Sequence, residues 1–205
     1  MKTLLFMRHA ESEANARDVL ASQLSFPLSH KGHLDAIQIS KELLERENID
    51  QIICSPLMRA MQTAAPFASV YRVDIKSEPL LLEQHLGEYS GLTYTELENA
   101  PGYMHDRGQR WTWIPNGGGE SYQMIAKRIT SFFEQLDDKS ETLLVVTHAV
   151  TMRLIRACLE NTLPEYPHEI AHNGEIWKVE FKNLGETHNI ESIFLGESAN
   201  NITRA

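Results

Sequence analysis

Two stretches of this chain are near copies of each other: Leu4–Leu5–Phe6–Met7–Arg8–His9–Ala10 and Leu143–Leu144–Val145–Val146–Thr147–His148–Ala149. Each is an uninterrupted apolar run that ends in a histidine and then a small residue. A run of that length with no polar face reads as a β-strand covered on both sides. Strands covered on both sides belong to largely parallel sheets with helices packed on each face. The rest of the chain supplies those helices. Ser29 to Glu47 predicts a helix with Leu34, Ile37 and Leu44 on one stripe. Gln51–Cys54 predicts a short strand, after which Ser55 offers an N-cap and Pro56 a favoured first helical position. Ser121 to Asp137 predicts a helix on the spacing of Ile125, Ile129, Phe132 and Leu136, and Thr142–Val146 a strand followed by a helix through Leu159. Trp177, Val179 and Phe181 alternate with Lys178 and Glu180, which predicts a strand with one solvated face. Gly185 then marks a turn to a last strand around Ile190–Leu195. The alternation predicts an α/β fold: a three-layer α/β/α sandwich on a mostly parallel sheet with antiparallel edges. No repeat or linker interrupts it, so residues 1–205 read as a single domain.

Charge and composition narrow the function. A formal net charge of −9 disfavours nucleic acid and anionic membrane surfaces as partners, since both attract basic patches. An anionic small molecule is compatible, provided the positive charge is concentrated at one site. The longest apolar runs are strand-sized, so no membrane span is expected, and the run after Lys2 ends too soon, at Arg8, for a signal peptide. Cys54 and Cys158 sit in apolar stretches and read as small buried side chains in a reducing compartment. The expected location is the cytoplasm. Nine histidines raise the question of a metal. None of His30, His33, His85, His105, His168, His172 or His188 falls at a metal-ligand spacing together with a carboxylate. His168 and His172 are four apart, but Pro164 and Pro167 argue against a helix there. No metal and no cofactor is expected.

In open α/β sheets ligands bind beyond the carboxyl ends of the strands. Both strand-end histidines, His9 and His148, would therefore share one rim. Arg8 joins them directly, and Arg59 arrives from the helix that follows the Gln51–Cys54 strand. Guanidinium groups grip paired oxygens, and a helix N-terminus favours anions, so this set suits a phosphoryl group. Any one of these residues alone reads as structural or as a solvated charge. Their convergence on one rim does not.

Met7–Arg8–His9–Ala10–Glu11–Ser12–Glu13–Ala14–Asn15 resembles the phosphohistidine signature of the histidine phosphatase superfamily, which includes the cofactor-dependent phosphoglycerate mutases. The resemblance continues, in the family's order, through residues 27–32, 54–64, 82–91 and 118–121, and ends on Val146–Thr147–His148–Ala149. It implies a phosphoglycerate mutase-like fold and a phosphatase acting on small phosphate esters. It also implies roles: His9 as nucleophile, Glu83 as proton donor and then acceptor, and Arg8, Asn15, Arg59 and His148 as clamps on the phosphate oxygens. Such chemistry is coherent. Phosphoryl transfer needs an in-line nucleophile, neutralisation of the charged oxygens, and a proton for the leaving alkoxide. Arginines and a protonated His148 would then supply the charge that magnesium supplies in kinases.

Ala10 and Ala149 stand where the family usually has glycine, and both remain small. The stretch Ala21–Ser22–Gln23–Leu24–Ser25–Phe26 lacks the Gly-Trp feature of the mutases, and no paired-arginine insertion of the mutase kind is present. Both absences favour a phosphatase over a mutase-type phosphotransferase. A catalytically idle binding module is disfavoured, because every residue the chemistry needs is there. A cap-like insertion is expected around 84–119. Within it, Arg107, Arg110, Trp111 and Trp113 are candidate substrate-selecting residues, the arginines for a second anionic group and the tryptophans to exclude water. Oligomeric state and natural substrate are not encoded in any motif found.

Overall fold

The computed structural model describes residues 2–195. Its centre is β1 (Lys2–Arg8), in which Leu4, Leu5, Phe6 and Met7 are all fully buried. Removing a side chain of this size from water stabilises the fold by roughly 1.5–3 kcal/mol, which is why an uninterrupted apolar strand seeks the middle of a sheet. Four further strands are β2 (Gln51–Cys54), β3 (Ile75–Ser77), β4 (Thr142–Thr147) and β5 (Ile176–Phe181), and the last is β6 (Glu191–Phe194). They form one sheet in the order β3-β2-β4-β1-β5-β6. The first four in that order run parallel, while β5 is antiparallel to β1, and β6 to β5.

The alternation of side chains along β1 builds two cores. Leu4 and Phe6 pack with α5 (Tyr122–Glu134) and α6 (Ala149–Glu160) on one face. Leu5 and Met7 pack with α2 (His30–Leu44) and α3 (Met58–Tyr71) on the other. The mostly parallel α/β/α sandwich expected from the sequence is the observed fold. Two short α-helices also form, α1 (Glu13–Ala16) and α4 (Tyr94–Glu98), each opened by a capping box, at Ser12 and at Thr93.

Two local expectations need correcting. Leu34, Ile37 and Leu44 are exposed; the buried stripe of α2 is Gly32, Ala36, Ile39, Ser40 and Leu43. The helix turns its small residues inward because it lies against the Glu11 backbone, where a β-carbon on Gly32 would sit 2.0 Å from the Glu11 carbonyl oxygen. Nor does Ser55 cap α3. That helix starts at Met58 on an N-cap residue, Leu57, that makes no side-chain bond, while Ser55 still pairs its N–H with Val146 in the ladder. Its hydroxyl is used elsewhere.

Candidate active site

The parallel strands place their carboxyl ends side by side. Register pairs Arg8 with Thr147, and His9 N–H continues the ladder to the Thr147 carbonyl at 2.9 Å. His9 and His148 therefore leave adjacent strands at one level, their ring centroids 5.2 Å apart. Above them lies a cavity of about 100 Å³ whose wall includes Arg8, His9, Ser12, Asn15, Arg59, Glu83 and Tyr94.

His9 is buried and oriented. Its Nδ1 lies 2.7 Å from the Ala10 carbonyl oxygen, which can only accept, so Nδ1 carries the proton and Nε2 the lone pair. Nε2 in turn accepts a hydrogen bond from Arg59 Nε at 3.2 Å. Arg59 itself is fixed by two further bonds, Nη2 to the Ser22 carbonyl at 2.6 Å and Nη1 to the Leu24 carbonyl at 3.1 Å. Ser22 holds a left-handed backbone, φ +47°, which brings its carbonyl within reach of Arg59. Arg8 donates Nη1 to the Ala171 carbonyl at 2.7 Å and keeps its buried Nε without a protein partner. Burial lowers the proton affinity of both arginines, Arg59 to a pKa of about 10, which leaves it charged at neutral pH.

Asn15 accepts through Oδ1 from Ser12 N–H, Ser12 Oγ–H and Asn173 Nδ2–H, an arrangement that assigns its amide and turns Nδ2 into the available donor. Glu83 sits at the N-terminus of α6. Its carboxylate accepts from Gln84 N–H, Val150 N–H, Thr151 N–H and Thr151 Oγ1–H. Its carboxyl oxygens thus serve as acceptors for the first N–H groups of that helix.

His148 lies behind the cavity wall, fully buried, with Nε2 2.7 Å from Ser55 Oγ and Nδ1 without a protein partner. Desolvation first, then Arg59, His9, Arg128 and Arg8, holds its pKa well below the ordinary 6.5. The same holds for His9, through desolvation and then Arg59 and Arg8. The positive charge of the pocket in this geometry therefore comes from the arginines. As pH is lowered through 6.5, NMR resonances of both rings should stay at neutral-imidazole positions. The unfolded chain binds those protons from about pH 6.5 downward, so this pair removes stability as pH falls below that value. Either ring titrating at or above 6.5, or stability flat across that range, would contradict the buried neutral pair.

The four cap candidates separate. Arg110 and Trp113 line a second cavity of about 50 Å³ beside the first. Trp111 packs against the α5–α6 core, and Arg107 is exposed with its guanidinium 5.9 Å from the centre of the Tyr166 ring. Four further residues shape the site, none of them assigned a part in it from the sequence. Ser55 orients His148, and Asn173 Nδ2 ties the His9 carbonyl to Asn15 at 3.0 and 3.3 Å. Ser22 holds Arg59, and Tyr94 closes one wall. Only Ser55 had a visible signal, its place at a strand exit beside the other two. Among the described residues no group of three or more metal-ligating side chains converges, and no helix is long and apolar enough to cross a membrane.

Residues 4–190 match the profile of the histidine phosphatase superfamily, branch 1, and the chain belongs to that family. Phosphoserine phosphatase 1 of Hydrogenobacter thermophilus is 32% identical over 165 residues, spanning 78% of this chain and 76% of the relative. Glucosyl-3-phosphoglycerate phosphatase of Mycobacterium tuberculosis is 27% identical over 169 residues, spanning 77% and 75%. Among solved structures, a mycobacterial glucosyl-3-phosphoglycerate phosphatase superposes with a TM-score of 0.84 at 23% identity, covering 96% of this chain and all of that one. The α-ribazole phosphatase of Shigella flexneri gives 0.80 at 23%, covering 93% and 95%.

Proposed function

We propose that this protein hydrolyses phosphate monoesters in two steps through a phosphohistidine on His9. The observation that carries the reading is the His9 ring itself: Nδ1–H anchored on the Ala10 carbonyl, and the Nε2 lone pair turned into an arginine-lined cavity. A phosphoryl oxygen takes over the Arg59 Nε–H, freeing that lone pair. Nε2 then attacks phosphorus in line, the P–O bond to the alcohol breaks, and Glu83, entering this step as the acid that the hydrolysis step of the previous turnover leaves behind, gives its proton to the departing oxygen. Arg8, Arg59 and the Asn15 amide hold the three phosphoryl oxygens, and His148 receives one of them once the phosphorus is bonded to Nε2. In the second step the Glu83 carboxylate takes a proton from water, which attacks phosphorus and releases phosphate from Nε2. The relatives named as phosphatases support this reading.

Three finer points belong to the same proposal. Catalysis is independent of metal, because two guanidiniums already neutralise the phosphoryl charge. The compartment is the cytoplasm, which suits free Cys54 and Cys158, whose thiols burial pushes up, Cys158 to about 12. Residues around 84–119 act as a cap, contributing Gln84, Leu86 and Tyr94 to the wall of the phosphate cavity. One experiment tests the activity against its mutase alternative. With 3-phosphoglycerate, with and without bisphosphoglycerate and with chelator throughout, the expected result is inorganic phosphate at an unchanged rate. Isomerised phosphoglycerate dependent on the bisphosphate would assign a mutase, and a rate lost to chelator and restored by a divalent ion would assign a metalloenzyme.

A further inference from the structure

Glu83 is carried by a stretch of chain, residues 82–86, that belongs to no helix or strand. Each carbonyl from Leu80 to His85 is nevertheless held from another part of the molecule. Arg128 Nη1 donates to Leu80 at 2.6 Å, Thr147 Oγ1 to Leu81 at 2.7 Å and Thr151 Oγ1 to Leu82 at 2.6 Å. Gln23 Nε2 donates to Glu83 at 2.9 Å, Ser22 Oγ to Gln84 at 2.9 Å and Glu120 N–H to His85 at 2.8 Å. A segment without a backbone ladder takes the position that such outside partners impose.

Two of these supports form one ion pair. Arg128, on α5, sets its Nε 3.1 Å from Glu120 Oε1, and both side chains are mostly buried. Glu120 Oε2 accepts from His85 N–H at 3.0 Å, and its carbonyl accepts from Gln84 Nε2 at 2.8 Å. The pair thus takes hold of the segment at Leu80 and at His85, with Glu83 between them. Its bonds to the backbone are charge-assisted, and so stronger than the hydroxyl and amide contacts along the rest. The helix that bears it is itself fixed, since Ile125, Ile129 and Phe132 are buried in the core.

We propose that Arg128 and Glu120 are positioning residues for proton transfer, clamping the Glu83 segment to α5 so that the carboxyl meets the leaving oxygen. The assignment rests on the phosphatase reading of Glu83 and makes its acid step depend on two residues outside the phosphate cavity. Neither Arg128 nor Glu120 lines that cavity, so the hold of Arg8, Asn15 and Arg59 on the phosphoryl group is separate from the clamp. A reacting group displaced by about 1 Å costs on the order of a hundredfold in rate.

The test compares two leaving groups in single-turnover phosphorylation. Arg128→Met should slow glycerol 1-phosphate about tenfold to a hundredfold. Nitrophenyl phosphate, whose leaving oxygen needs little help, should stay within about threefold of the parent rate. Arg128→Lys keeps the charge but cannot span Leu80 and Glu120 with one planar fork, so it should fall in between. In a Glu83→Gln background the further loss from Arg128→Met should be below about twofold, because no proton is left to position. Glu120→Gln should show the same leaving-group pattern and stands in if Arg128→Met fails to fold. Arg128 also lowers the proton affinity of His148, and a part played there would slow both esters alike. Equal slowing of the two esters, or full additivity with Glu83→Gln, would therefore overturn the clamp. Leaving-group dependence in Glu83→Gln but not in Arg128→Met would leave the hydrolase standing without the clamp. Its absence from both would remove the proton donor and the clamp together.

Discussion

Replacing His9 with alanine is expected to lower turnover of any phosphate monoester by about four orders of magnitude or more, the scale seen when a covalent nucleophile is removed from a site whose other members remain. The structure says why nothing nearby substitutes. His148, the other imidazole at that level, commits Nε2 to Ser55 and is fully buried behind the cavity wall. Single-turnover quench of the parent with labelled substrate should leave phosphate on the protein, stable to base and labile to acid. The alanine variant should carry none. Normal turnover in that variant would move the nucleophile off His9 altogether.

Glu83→Gln should show the second largest effect, and one that depends on the leaving group. A positioned proton donor contributes about 10²–10⁴-fold, most where the leaving oxygen is basic. An alkyl phosphate should therefore be slowed across that range in the phosphorylation step, and nitrophenyl phosphate by no more than about tenfold. Glutamine preserves much of the shape that Gln84, Val150 and Thr151 surround, so a packing defect is a weak rival explanation. Equal slowing of both esters would reduce Glu83 to a cap on α6.

What could be read in advance follows a physical division. β1, β2, β4 and α5 came from the chain alone to within a residue or a few, because uninterrupted apolar runs and a strong helical stripe leave one option. The arginines and histidines at the strand exits were legible for the same reason: once those strands are parallel, their ends must meet. The buried face of α2 was not, because its packing rests on Gly32, Ala36 and Ser40, which a count of large apolar side chains passes over. β3 and α4 were too short to show a period. Asn173 and Ser22 act through loop backbone geometry, which no periodicity encodes.

The bonds from Arg59 to the Ser22 and Leu24 carbonyls bear on how tightly a phosphoryl group is held. A free arginine surrenders about 2 kcal/mol of rotamer entropy when it is immobilised. Here that freedom is gone before any ligand arrives, and a guanidinium with five N–H donors still has two uncommitted after the bonds to Ser22, Leu24 and His9. Affinity for the phosphoryl group is thus written partly into the backbone carbonyls of Ser22 and Leu24, whose hydrogen bonds go to Arg59. A loop deletion there would weaken binding while leaving every contact residue in place.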